Sequence, residues 1–434
     1  MLKKINHHIS GWIGAQTGFW FALYASISAF CLYTCIFALR KTFGVATYEG
    51  IAFAGHSFKV WMVVFQVMGY MLSKFIGIKV VSELNPSSRA SGILMMVSIA
   101  SLSWLFFAIT PAPYSLIFLF FNGLPLGMVW GMVFGYLEGR KMTEVLGASL
   151  SVSFIFSSGF AKTIGGLLMV DWGVSEMWMP FVSCALFLPP LLFFLFLLNK
   201  IPPPNSEDEA LRTKRKPMTG EERKKFTLTF LPGLVLLILS YMLLTAYRDF
   251  RDNFSAEIWK TLGYGDKPSI FAQTESIISL VVLVVIASLM VIKNNFKALV
   301  INHIIVILGM GMVGLGTWTY EKQWIDAPTW MVMVGMGLYF GYIQFNSIFF
   351  DRLIATFRYV STVGFLIYLA DSFGYVGSVG VLMYKEFGQA NLSWLSFFIQ
   401  SSYVLAFAGS VLMLCSLVYF IVKQSKTKKT NPVY

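Results

Sequence analysis

The chain has 434 residues, of which 57% are hydrophobic and 12% charged, and its mean hydropathy is +0.70. A soluble domain carries charge on roughly a quarter of its residues, so this composition excludes a chain that covers itself with polar surface in water. The net charge of +12 does not point to nucleic acid, because the basic residues are dispersed along loops and form no stripe with interleaved aromatics.

In chain order, the first apolar stretch covers 17–39. It follows Lys3 and Lys4 but shows no small-residue cleavage site, so it is expected to stay as a helix and not to be removed as a signal peptide. Further stretches follow at 58–79, 91–110, 114–136, 147–169 and 177–198. After a long polar segment come 228–247, 269–292, 298–318, 329–350, 360–383 and 394–422. Each suffices to cross a hydrocarbon core about 30 Å thick. The expected fold class is therefore an all-α polytopic membrane protein with 12 transmembrane helices in two six-helix bundles. The division is 1–198 for the N-terminal bundle, 199–227 for a cytoplasmic linker and 228–434 for the C-terminal bundle.

The linker holds Pro202, Pro203 and Pro204, an acidic run from Glu207 to Glu209, and basic clusters at Arg212 to Lys216 and Arg223 to Lys225. With both termini cytoplasmic, the cytoplasmic segments carry 22 Lys and Arg against 9 outside. This is the asymmetry that orients multi-span proteins. A six-plus-six layout around a charged loop is that of transporters whose two halves rock about a midplane site.

The fourth span carries Gly123, Gly127, Gly131, Gly135 and Gly139 at a spacing of four, a smooth face for close helix packing. Gly309, Gly311 and Gly314 match the dinucleotide fingerprint formally, but they follow no strand and open no helix, so that reading fails. Cys31, Cys35, Cys184 and Cys415 lie in apolar spans with no metal-ligand spacing and read as small core residues. His7, His8, His56 and His303 are scattered, and solvated or capping roles are expected of them. No metal site, no cofactor and no enzymatic chemistry is expected, since no metal pair, nucleophile with base, or phosphate loop lies near any span.

Ionisable residues inside spans are costly and read as functional by default. They are Lys74 in the second span, Lys162 in the fifth, Glu275 in the eighth and Asp371 in the eleventh. Arg40 and Lys41 end the first span, and Arg248 and Arg251 end the seventh, in equivalent places of the two halves and on the side otherwise poor in basic residues. One reading makes Arg40 and Arg251 anchors that snorkel to headgroups, and Lys162 has the same alternative. The other makes them a basic pocket where two guanidinium groups hold an oxyanion in bidentate fashion. Glu275 and Asp371 then pair with the arginines or carry protons. Tyr33 and Tyr70 supply hydroxyls from the cavity wall or serve as packing.

At these residues the chain resembles the organophosphate:phosphate antiporters of the major facilitator superfamily, the glycerol-3-phosphate transporter type. Phe37-Ala38-Leu39-Arg40-Lys41-Thr42-Phe43 is similar to the family's first-helix motif, whose arginine is a phosphate ligand. Tyr70-Met71-Leu72-Ser73-Lys74-Phe75-Ile76-Gly77 resembles its second-helix segment, whose lysine faces the pocket. Asn85-Pro86 and Arg89 are similar to the following loop, Tyr247 to Trp259 to the seventh helix, Glu275 to an eighth-helix glutamate, and Phe373-Gly374-Tyr375-Val376-Gly377-Ser378 to the eleventh-helix signature. Two features depart from the family pattern. Its fifth-helix histidine is replaced near Ser157 and Ser158, with Lys162 about a turn farther, and Glu83 and Arg89 replace a tighter charged motif.

The resemblance implies a major facilitator fold working by alternating access, with the first and seventh helices extending past their hydropathy limits. It implies that Arg40 and Arg251 clamp an anion while Lys74 raises the local potential, with Arg251 ranked slightly ahead of Arg248. The expected protein is a monomeric secondary transporter of a phosphorylated metabolite, exchanged for phosphate or coupled to protons. It would sit in a bilayer, the bacterial inner membrane, and bind no nucleic acid. The alternatives are a sugar-phosphate sensor without net transport and a proton-coupled carrier of a non-phosphorylated anion.

Overall fold

The computed structural model describes residues 18–83, 85–138, 140, 142–204, 220–357 and 363–430. Gly139, His7, His8 and the charged stretch 205–219 lie outside them. The first six long helices are α1 (Gly18–Lys41), α2 (Phe58–Glu83), α3 (Arg89–Ile109), α4 (Ile117–Phe134), α5 (Thr143–Val170) and α6 (Met179–Leu198). Then come α7 (Gly220–Asn253), the short α8 (Ser255–Thr261), α9 (Ser269–Met290), α10 (Asn295–Glu321), α11 (Ala327–Ser347) and α12 (Phe349–Phe357). The chain closes with α13 (Val363–Met383), α14 (Trp394–Val404) and α15 (Ser410–Thr430). Among the described residues, eleven segments are long and apolar enough to cross a membrane, and α11 with α12, bent by 50°, makes a twelfth candidate. These match the twelve hydropathy stretches one for one.

The surface confirms the solvent for which the chain is built. Phe75, Phe106, Phe193, Leu280, Leu308 and Phe407 are exposed on helix faces, while Arg40, Lys41, Lys59, Gln66, Asn122, Lys162 and Asp252 are buried. An apolar outside around a polar inside is stable in lipid and not in water. The chain is a multi-pass membrane protein.

Hydropathy placed the ends of the first and seventh spans too early. α1 runs to Lys41 and continues as a 3-10 turn over Thr42–Val45, and α7 runs to Asn253. α7 also starts at Gly220, because its first turns, Glu221 to Lys225, are polar yet helical. A hydropathy window detects where a helix is apolar, not where its hydrogen bonds stop.

Small residues set the closest contacts. A methyl group on Gly123 would run into the main-chain oxygen of Gln66, and one on Gly127 would sit 2.6 Å from Ser73 Cβ. The glycine face of α4 thus brings the backbone of α2 close and fixes the part of it that carries Tyr70 and Lys74. Gly309 meets Gly337 the same way, so the glycines of α10 serve packing. His303 is not solvated: it is fully buried on α10, with its ring nitrogens against the Leu299 carbonyl and Ser416 Oγ. Cys35 and Cys184 are buried as expected, whereas Cys415 is exposed.

By packing, the chain forms two compact units. The first is Met1–Arg212 with Asp252–Ser279, and the second is Thr213–Arg251 with Leu280–Tyr434. The stretch after Arg251 thus packs with the first unit, ahead of the sequence order. In this stretch Asp252 is ion-paired with Lys41 and Lys162, and Glu257 with Lys59, all within the first unit.

Candidate functional site

In the first unit the site begins at the end of α1. The last carbonyls of a helix have no partner within it, and inside a membrane protein such groups must find one. Trp104 Nε1 and Asn122 Nδ2 both donate to the Leu39 carbonyl, and Gln66 Nε2 donates to the Arg40 carbonyl at 2.8 Å. Gln66 and Asn122 are joined at 2.8 Å. Three side chains from α2, α3 and α4 therefore pin the backbone that carries Arg40.

The Arg40 guanidinium carbon lies over the Tyr70 ring, 3.7 Å from its centroid, and Lys74 Nζ lies 5.1 Å from the same centroid. A tyrosine face offers negative potential to cations, and this one ring takes two positive groups. Arg40 is buried and Lys74 half-buried. Arg40, Tyr70 and Lys74 are thus brought together. Tyr33, also buried, packs on Phe37 and Phe154.

Lys162 is buried within the first unit. Its Nζ lies 2.6 Å from Asp252 Oδ1, and Lys41 Nζ lies 3.1 Å from Asp252 Oδ2. Ser158 donates to the same carboxylate, while Ser157 bonds Thr34. Next to this group Lys59, fully buried, contacts Glu257 at 2.7 Å and the Gly44 carbonyl at 3.0 Å. Burial pushes the Glu257 carboxyl above the usual carboxylate range, with the Lys59 ammonium pulling it back only in part. Glu275 is buried on α9 against Gly159 of α5.

In the second unit Arg248 lies 4.2 Å over the Tyr342 ring and is ion-paired with Asp249, whose other oxygen accepts from Ser378 at 2.7 Å. Tyr342 stacks on Tyr241, and the Tyr241 hydroxyl donates to Asp371 at 2.6 Å. Arg248 and Asp371 thus belong to one aromatic and charged cluster. Arg251 is buried and donates to the Met331 carbonyl at 3.2 Å.

Sequence reading missed Lys59, Gln66, Asn122, Asp249, Asp252, Glu257 and Tyr342. A signal existed for the two aspartates: Arg248-Asp249-Phe250-Arg251-Asp252 alternates sign inside a helix, which an apolar environment permits only with partners. For Asp252 that partner, Lys162, is 90 residues away, and no local pattern names it.

A family model described as a family of unknown function, DUF5690, matches residues 42–423. No curated protein matches the chain. Among solved structures, a D-xylose-proton symporter is 14% identical with a TM-score of 0.59, over 92% of this chain and 97% of that one. A bacterial homologue of the human drug peptide transporters PepT1 and PepT2 is 12% identical with a TM-score of 0.59, over 94% and 99%. A bacterial homologue of the human lysosomal transporter Spinster, inward-facing and unoccupied, is 13% identical with a TM-score of 0.55, over 93% and 97%. The shared architecture is the major facilitator fold.

Proposed function

We propose, for a chain that belongs to the DUF5690 family and has the major facilitator fold, that it is a secondary active transporter of an organic anion working by alternating access. The observation that carries this reading is the buried Arg40 guanidinium stacked on Tyr70, with Lys74 on the same ring. Such a group presents a planar fork of donors of fixed orientation, suited to a carboxylate or phosphate and unsuited to a neutral sugar. In the second unit, Arg248 over Tyr342 repeats the device, and Arg248, ahead of Arg251, is the arginine of that unit to which we assign anion binding. A phosphate monoester, carrying nearly two charges, is the substrate class we favour, exchanged for phosphate or moved with protons.

Purified protein in liposomes should take up labelled phosphate monoesters in counterflow, and a monoester should compete better than its parent alcohol. Charge-assisted hydrogen bonds are worth about 1.5–3 kcal/mol each, so losing the phosphate group should weaken competition at least about tenfold. Neutral sugars competing as well as their phosphates would remove the anion reading.

The bias of basic residues supports a cytoplasmic location for both termini and for the loop around Lys214, in the bacterial inner membrane, with Lys260 and Lys385 outside. Single cysteines at these positions, in a variant lacking the four native ones, should react with an impermeant thiol reagent in intact cells at 260 and not at 214. The reverse pattern would invert the topology.

A further inference from the structure

Arg40 and Lys41 are neighbours in sequence, but their side chains serve different groups. Arg40 lies on Tyr70, whereas Lys41 reaches Asp252 Oδ2 at 3.1 Å and donates to Asn253 Oδ1 at 2.6 Å. From α5, Lys162 reaches Asp252 Oδ1 at 2.6 Å and also donates to the Asp252 main-chain carbonyl, and Ser158 one turn earlier donates to Oδ1. All four side chains, Lys41, Ser158, Lys162 and Asp252, are buried. Donors on two helices thus converge on a single pair of oxygens from different directions, and two ammonium groups face one carboxylate. The adjacent Lys59 has a carboxylate of its own, Glu257, at 2.7 Å.

This is the donor set of an oxyanion site, and its anion is carried by the chain. Asp252 is the penultimate residue of α7, and the two compact units divide at the bond between Arg251 and Asp252. The carboxylate is therefore attached where the chain passes from one unit to the other, while the donors sit on α1 and α5 inside the first unit.

We propose that Lys41, Lys162 and Ser158 form a second oxyanion site, separate from the Arg40–Tyr70–Lys74 cluster, that Asp252 fills as a tethered ligand and that a small free carboxylate fills when the Asp252 carboxylate is missing or withdrawn. Exchanging one carboxylate for another leaves the buried charge unchanged, whereas an empty site removes the carboxylate that Lys41 and Lys162 share. The inference concerns this chain's own donors and does not depend on the identity of the transported anion.

Thermal unfolding of the purified full chain tests it, with sodium formate as the probe and sodium gluconate, too large for the site, at matched ionic strength. Asp252→Ala, which removes the carboxylate and leaves its space, should unfold below the wild type. Formate should then raise its midpoint saturably by at least about 3 °C, as a ligand that binds only the folded state does. The wild type should not respond, because its site is filled. Asp252→Asn should not respond either, since the amide occupies the space. Combining Asp252→Ala with Lys41→Met and Lys162→Met should abolish the response. A midpoint of Asp252→Ala indifferent to formate, or one that rises equally in the triple variant, overturns the proposal. So does an Asp252→Ala chain whose yield of folded protein stays nil whether or not formate is supplied during expression and purification.

Discussion

Replacing Arg40 by lysine is expected to lower uptake by about 10- to 100-fold while the protein remains folded in the membrane. The magnitude is the loss of one or more charge-assisted hydrogen bonds, about 1.5–3 kcal/mol each. Lysine keeps the charge but gives up the planar fork and the stack over Tyr70, whose ring centroid lies 3.7 Å from the guanidinium carbon. The fold should survive because the Arg40 main chain, held by Gln66 through its carbonyl, is untouched by the substitution. Arg248→Lys should be similarly damaging, and Arg251→Lys less so, since Arg251 donates to a main-chain carbonyl that an ammonium also reaches. Uptake in liposomes at matched protein content measures all three. Near-normal transport by Arg40→Lys would reduce that arginine to packing, and an Arg251→Lys variant worse than Arg248→Lys would return the second ligand to Arg251.

The second large effect is on stability, at the Lys59–Glu257 pair. Removing one partner of a buried ion pair typically costs about 3–5 kcal/mol, because the other charge is left uncompensated, whereas removing both is far milder. Glu257→Gln strands an ammonium that is fully buried, with the Gly44 carbonyl as a remaining acceptor. Lys59→Met strands a carboxyl that can take a proton, so its deficit should depend on pH. Glu257 is held above the ordinary carboxylate range by burial, so the folded chain binds that proton more tightly than the unfolded one. Its contribution is then fully present below the ordinary carboxylate value and is lost as pH rises through the raised value. Without Lys59 to pull it down, the carboxyl rises further. Unfolding midpoints across pH 4 to 8, measured on the two single variants and the double, should show Lys59→Met recovering as pH falls. They should also show Lys59→Met/Glu257→Gln more stable at neutral pH than either single variant. A double variant as damaged as the sum of the two would mean that the residues act separately.

Composition and hydropathy alone determined that the chain lives in a bilayer, and they located all twelve candidate spans, although α7 runs well past its apolar stretch at both ends. The reason is that lipid imposes one requirement on every spanning segment, a long apolar stretch with its backbone bonded internally, and that requirement is local. The short list of charges inside or beside spans was legible for the same reason, and Arg40, Tyr70 and Lys74 do meet in the structure. Helix ends were less legible, because Arg40, Arg248 and Arg251 are polar residues on helices that continue through them.

What each charge pairs with was decided only by tertiary structure. Lys162 reads from the sequence as a candidate ligand or an anchor, and becomes one arm of a cluster only when α7 ends beside it and delivers Asp252. Lys59 and Glu257 lie in unremarkable positions at the start of α2 and in the short α8, yet pair at 2.7 Å with the ammonium fully buried. Pattern along a helix reports which face is apolar, since that depends on neighbours three and four residues away. The partner of a buried charge depends on which helices the glycine faces of α4 and α10 allow to approach, and that contact has no local signature in the sequence.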